Sequence, residues 1–186
     1  MYSQEKESWR VEAAVGGVRG LNEAITQSMN PGIWIDAIWL DGIAPHLSAQ
    51  AGFGVTSNSS PDLGHYSEYF TDLISLDIRL QYSPFTEGSI QPYIYGGIGL
   101  LFFSVTSSPP NASLDKSTSG AALYLPVGIG VGIPVGHDFG VDLKIGENPA
   151  FTDDLNPVHD QRNDAFWGFS LGLTYSFGNG VNEDID

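Results

Sequence analysis

Three groups of residues in this sequence have the types and spacing that chemistry needs. His65-Tyr-Ser67 sets an imidazole two residues from a hydroxyl, the pairing a general base and a nucleophile require. A catalytic triad also needs an orienting acid to converge on them, and His and Ser this close are common by chance. The stretch therefore reads as a polar loop end, and no enzyme activity is expected. A second group is acidic: Glu147, Asp153, Asp154 and Asp160 crowd the 147–163 connection and Asp164 follows it, with Glu23, Asp62, Glu68, Asp72 and Asp115 in or beside the others. Lys116 and Arg162 are their only clear offsets. Such oxygens suit a hard divalent cation, but no EF-hand spacing is present, so solvated loops and no metal are expected. The third group is Arg10, Glu12, Asp36, Asp77, Arg79, Asp142 and Lys144, charges embedded in otherwise apolar stretches.

The elements that must carry these residues show a period of two, the period of a strand. Ala165, Trp167, Phe169, Leu171, Leu173, Tyr175 and Phe177 alternate with Gly168, Ser170, Gly172, Thr174 and Ser176. Ile74, Leu76, Ile78, Leu80 and Tyr82 alternate with Ser75, Asp77, Arg79 and Gln81. The same split runs through 9–15, 47–55, 121–133 and 139–145. Stretches 33–40 and 92–105 are apolar on both faces, which leaves their parity open. About eight strands result, each long enough for the roughly 9–11 residues of a tilted membrane-spanning strand. Their connections alternate in length: 21–31, 56–67, 107–118 and 147–163 are long, whereas 42–45, 84–90 and 136–138 are short. Long loops at one rim and tight turns at the other are expected of an up-and-down barrel.

Composition removes the main competitors. The chain has 186 residues with 22 acidic against 7 basic side chains, a net charge of −15, and no cysteine. Seven basic residues cannot supply a nucleic-acid surface, and without cysteine there is neither a disulfide scaffold nor a thiolate metal site. Disorder is excluded by the 41% apolar content. No run of about 18 apolar residues forms a membrane helix. Met1-Tyr-Ser-Gln-Glu-Lys-Glu7 lacks the basic start and apolar core of a leader, which by itself reads as a cytoplasmic protein; the strand pattern favours the alternative, a mature form without its signal peptide. The glycine runs at 16–20 and 128–132 precede no helix and read as packing glycines, not phosphate loops; no cofactor is expected. The glycosylation sequons at Asn58 and Asn111 are common by chance and carry no weight.

The face that is apolar decides the solvent. A soluble, lipocalin-like barrel would point large apolar residues inward and charges outward. Here the second face is Gly, Ser and Thr with few charges, and a barrel of eight strands has no room inside for Trp, Phe and Leu from every strand. The apolar face therefore meets lipid. Arg10, Glu12, Asp36, Asp77, Arg79, Asp142 and Lys144 then point inward, where they must pair. Asp77/Arg79 and Asp142/Lys144, two apart on one face, are the expected pairs, and together they close the lumen. Trp9, Trp39, Tyr82, Tyr93, Phe103 and Trp167 are expected at the membrane interfaces, as are Tyr69, Phe70 and Phe85.

Pro92-Tyr-Ile-Tyr-Gly-Gly-Ile-Gly-Leu100, Pro126-Val-Gly-Ile-Gly-Val-Gly132 and the ending Trp167-Gly-Phe-Ser-Leu-Gly-Leu-Thr-Tyr-Ser-Phe177 resemble the OmpA-like eight-stranded outer-membrane barrel domains. The resemblance covers 9–177 and implies an all-β, eight-stranded antiparallel transmembrane barrel in a Gram-negative-type outer membrane. It makes 1–8 a periplasmic segment and 178–186 an acidic tail or linker, leading in such proteins to a peptidoglycan-binding domain. It also implies that Leu171, Leu173, Tyr175 and Phe177 form the insertion signal read by the barrel-assembly machinery. Outer-membrane lipid and lipopolysaccharide are the implied surroundings. The expected role is a non-catalytic anchor or surface-interaction domain. The alternatives are a lipid-modifying barrel enzyme, since lipid A deacylases are similar in having a His-x-Ser motif, and a soluble ligand-binding barrel.

Overall fold

The computed structural model describes residues 8–21, 27–44, 46–62, 67–85, 88–107, 119–157 and 162–177. Nine strand segments follow one another along them: β1 Ser8–Leu21, β2 Asn30–Ala44, β3 Leu47–Asp62, β4 Ser67–Tyr82, β5 Gln91–Ser107, β6 Ser119–Tyr124, β7 Val127–Pro134, β8 Phe139–Pro149 and β9 Ala165–Phe177. All pairings are antiparallel; β4 pairs with β5, and β9 pairs with β1 from Trp9–Phe177 to Leu21–Ala165. The sheet therefore closes into a barrel.

Segments β6 and β7 are one stave in two pieces, which makes the barrel eight-stranded. Gly99 of β5 faces Tyr124 and Gly96 faces Val127, so the register runs straight across the break. The break falls at Pro126, which has no N–H to give to a ladder. Around it Gly97 N donates to Pro126 O and Leu125 N to Pro149 O, both at 2.9 Å.

The two-residue period sends the apolar residues outward. Val15, Ile35, Phe53, Ile78, Ile98, Ile129, Leu143 and Leu173 are all exposed, Ile78 by 67%. In a soluble protein so much contiguous apolar surface would aggregate. On each stave the outward run spans about nine residues, as at 47–55, 74–82, 94–102 and 169–177. At about 3.3 Å per residue and a tilt of about 40°, that is a band about 22 Å tall, close to the roughly 25 Å of a membrane barrel. The wall spans a membrane.

The ambiguous strands also resolve. In β2 the even positions Gly32, Trp34, Asp36 and Ile38 face inward; in β5 the odd positions do, from Tyr93 to Val105. The connection expected at 56–67 is mostly strand, because β3 and β4 stay paired up to Asp62 and Ser67. Thr56, Asn58, Ser60, Tyr69 and Thr71 continue the inward alternation there with polar groups, which conceals the strand from a hydropathy pattern.

Glycine lets the narrow barrel fill. A Cβ on Gly16 would lie 1.9 Å from the backbone oxygen of Phe169, which cannot move aside, whereas on Gly96 the nearest atom would be 3.8 Å away. Gly16→Ala is expected to cost about 1–3 kcal/mol or prevent folding, and Gly96→Ala less than about 0.5 kcal/mol. Urea titration of the compact, heat-modifiable form on gels measures both.

Candidate functional site

Inside the wall, four staves contribute charged side chains at one level. Lys144 of β8 donates to Glu12 Oε2 of β1 at 2.8 Å and to Asp36 Oδ2 of β2 at 2.7 Å. Arg79 of β4 donates to the other oxygen of Asp36 at 2.8 Å and through Nε to Asp77. Asp36, 1% exposed, thus bridges both cations. Tyrosines extend the cluster: Tyr124 of β6 donates to Asp77, Tyr93 of β5 donates to Asp142 Oδ1 at 2.6 Å, and the Arg79 guanidinium lies 5.8 Å from the centre of the Tyr95 ring.

Glu12, Asp36, Asp77, Arg79 and Lys144 therefore form one connected network. The expected Asp77/Arg79 pair is made; Asp142/Lys144 is not. Lys144 reaches across the lumen to two carboxylates on other staves, and Asp142 takes the Tyr93 hydroxyl instead. Arg10 stands at the short-turn mouth with a 3.4 Å contact from Nε to Ser176 Oγ. Polar atoms remain unmatched at this level: Glu12 Oε1 and both amide atoms of Gln50 are buried without a partner.

Toward the long-loop rim the filling changes character. Val18, Leu73, Leu101, Phe103, Val105, Ala122, Tyr124, Ala150, Leu155 and Phe166 pack into one apolar cluster. Leu155 comes from the segment between β8 and β9, which folds into the barrel mouth. Its carbonyl accepts Thr71 Oγ1 at 2.8 Å, and its N–H donates to Asp164 Oδ2 at 2.9 Å; Asn156 Nδ2 donates to Asp164 Oδ1 at 2.6 Å. Asp164 is thus a fastening of this stopper, a role that its place in an acid-rich loop did not reveal. A cavity of about 70 Å³ is left between stopper and ion cluster, bordered by Trp34, Asp36, Leu101, Tyr124 and Lys144. A second, of about 170 Å³, opens at the short-turn rim beside Arg10, Asp138, Asp142 and Thr174.

Tyr93, Phe103 and Tyr69 are not interfacial: they face the lumen and are buried, because inward positions on β5 and upper β4 carry rings. Trp9 and Trp39 face outward at the short-turn rim, stacked at 6.0 Å, and Tyr82 and Phe85 are exposed at that rim. Trp167 is half-buried on the outer face. Leu171, Leu173, Tyr175 and Phe177 are all outward and exposed. His65, Glu23, Asp115 and Asp160 lie outside the described residues, as do the side chains of Ser67, Asp62 and Glu68. Among the described residues no group of three or more His, Asp or Glu could hold a metal ion. Asn58 is buried and bonded to Gly20 N and Tyr69, so its sequon is closed off.

Fold and filling together define a closed, eight-stranded membrane-spanning β-barrel. Solved structures share it. Neisserial surface protein A is 17% identical with a TM-score of 0.65, over 90% of this chain and 96% of that one. A major outer membrane protein from Thermus thermophilus is 18% identical with a TM-score of 0.65, over 92% and 99%. Ail, the attachment invasion locus protein of Yersinia pestis, solved with the heparin analogue sucrose octasulfate, is 13% identical with a TM-score of 0.59, over 92% and 99%. At these identities the likeness is one of fold. No family model matches the chain, and no curated protein matches it by sequence.

Breaking a buried ion pair by removing one partner costs about 3–5 kcal/mol. Lys144→Met should lose that much, since it leaves Glu12 without a cation and Asp36 with Arg79 alone. Arg10→Met, at the wet mouth, should lose less than about 1 kcal/mol. Equilibrium unfolding in urea from detergent micelles compares the two.

Proposed function

We propose that this chain is an OmpA-like outer-membrane barrel that acts as a non-catalytic anchor and presents its long loops as an interaction surface. The observation that carries this reading is the doubly closed lumen. An ion cluster and an apolar stopper lie in series, and the space between them, about 70 Å³, has room for a few waters but not for a solute stream. The barrel then resides in a Gram-negative-type outer membrane, among lipid and lipopolysaccharide. The partner chemistry follows from charge. The heparin analogue seen with Ail is a polyanion, and a chain of net charge −15 with acid-rich loops repels one. A cationic partner, or cation-bridged lipopolysaccharide phosphate, fits that rim.

Purified protein in planar bilayers should show no stable large conductance; a steady porin-like current overturns the closed-anchor reading. The assembly role is separable. Tyr175→Ala with Phe177→Ala should lower the amount inserted in cells several-fold while leaving unassisted folding into detergent near the parent's rate. Equal loss in both settings would mean that these side chains serve stability and carry no signal.

A further inference from the structure

The lumen charges do not cancel. The described inward-facing groups of the membrane level are three cations, Arg10, Arg79 and Lys144, and four acids, Glu12, Asp36, Asp77 and Asp142. Fully ionised they leave one negative charge inside a wall surrounded by lipid, where an uncompensated charge is costly. Asp36 and Asp77 are not the source of the excess, because each is held by Arg79, and Asp36 also by Lys144. That leaves Glu12 and Asp142, and the structure brings these two together. Gly172 of β9 faces the lumen and pairs with Asp142 of β8 on one side and Ala14 of β1 on the other. Side chains paired in this way have Cβ atoms about 5 Å apart. The space a Gly172 side chain would fill is taken by Glu12: a Cβ there would lie 2.3 Å from Glu12 Oε1. Glu12 has thus entered the slot beside Asp142. Each carboxyl has one oxygen engaged, Glu12 Oε2 by Lys144 and Asp142 Oδ1 by Tyr93. Glu12 Oε1 is buried with no partner at all.

We infer that Glu12 and Asp142 form a proton-binding site, a carboxyl–carboxylate pair holding one proton between them over Gly172 at neutral pH. The proton cancels the excess charge and gives Glu12 Oε1 a bond: as a hydroxyl it donates to the second oxygen of Asp142, while Oε2 keeps Lys144. Two carboxylates sharing one slot in so dry a lumen repel when both are ionised, so one proton is retained. The charged and titratable groups facing the pair are Arg10 on β1, Asp36 on β2, Asp77 and Arg79 on β4, Tyr93 and Tyr95 on β5 and Lys144 on β8, with His137 and Asp138 across the rim cavity; the inward positions of β9 here are Ser170, Gly172, Thr174 and Ser176, none of them titratable. The site opens toward the rim cavity that Arg10 and Asp142 border, which gives the proton an exit on the short-turn side. Raising the pH removes a proton that the folded barrel holds and the unfolded chain would already have released, so stability falls as the pair ionises.

Infrared spectroscopy of the full chain in lipid tests this. The parent at neutral pH should show the carbonyl stretch of a protonated carboxylic acid, shifted in heavy water and lost reversibly at alkaline pH. Glu12→Gln, in which the amide oxygen accepts Lys144 and the amide N–H donates to Asp142, should abolish the band. Its unfolding constant should stay within about threefold of the parent's and lose the parent's dependence on pH. Asp142→Asn should abolish the band too, and it gives the same reading if the first variant fails to fold. Absence of the band in the parent overturns the proposal. So does a Glu12→Gln unfolding constant raised about a hundredfold, the mark of a broken ion pair. Stability that rises with sodium or potassium concentration, with no acid band, would overturn it in favour of a bound cation.

Discussion

Lipid on the outside of a closed wall is the constraint from which the rest follows. A strand shows alternate residues to opposite faces, so a wall that meets hydrocarbon must place every charge of its membrane level on the inner face or at a rim. Eight strands enclose too little space to hydrate those charges. The charges must therefore satisfy one another, and Asp36, with Arg79 on one oxygen and Lys144 on the other, is where they meet. That one carboxylate links β2 to β4 and β8, staves that do not touch along the wall. It fixes the cross-section of the barrel as well as its charge.

The cluster has room only because other staves give up their side chains. Arg79 packs over Gly52 of β3, where a Cβ would lie 2.0 Å from its Nη2, and Glu12 packs over Gly172 of β9. Tyr93 packs against Gly130, and Tyr95 against Gly128 and Gly146. At this level β3, β7 and β9 carry no charge, and they form the floors on which the charged and aromatic side chains of β1, β4 and β5 rest. The high glycine content is thus the steric complement of the buried charge. A single added methyl at Gly52 or Gly172 would press on an ion pair, where the cost exceeds that of ordinary overpacking.

Most of the wall was legible from sequence because its period of two is enforced by lipid on one side. Legibility failed where that enforcement lapsed. Stretch 92–105 is apolar on both faces, since the upper lumen is itself apolar there, so Tyr93 and Phe103 could not be told from the belt residues beside them. At 57–60, Ser and Asn conceal a strand, because beyond the lipid the outer face no longer needs to be apolar. The seven lumen charges were identifiable as a set from their position among apolar neighbours. Their pairing was not: Lys144 passes over Asp142, two residues away on its own strand, for Glu12 and Asp36 on other staves, and only closure of the barrel creates that choice. Leu155 and Asp164 gave no signal, because one apolar residue within an acid-rich loop carries no periodicity.

The two ends of the lumen are closed by different means, and chain length explains why. The short turns leave no spare residues to fold inward, so on that side only wall side chains can cross the bore. Long, charged or hydroxylated ones, such as Lys144, Arg79 and Tyr93, have the reach. At the other rim the segment joining β8 to β9 is long enough to bring its own backbone into the mouth. Leu155 can therefore complete an apolar core there, with its N–H and C=O satisfied by Asp164 and Thr71. Apolar closure needs a complete shell of contacts, which only an inserted loop supplies; ionic closure needs only a few side chains that meet at the axis. The charged half of the lumen therefore belongs to the short-turn side, and its proton traffic is with that compartment, because the stopper seals the other.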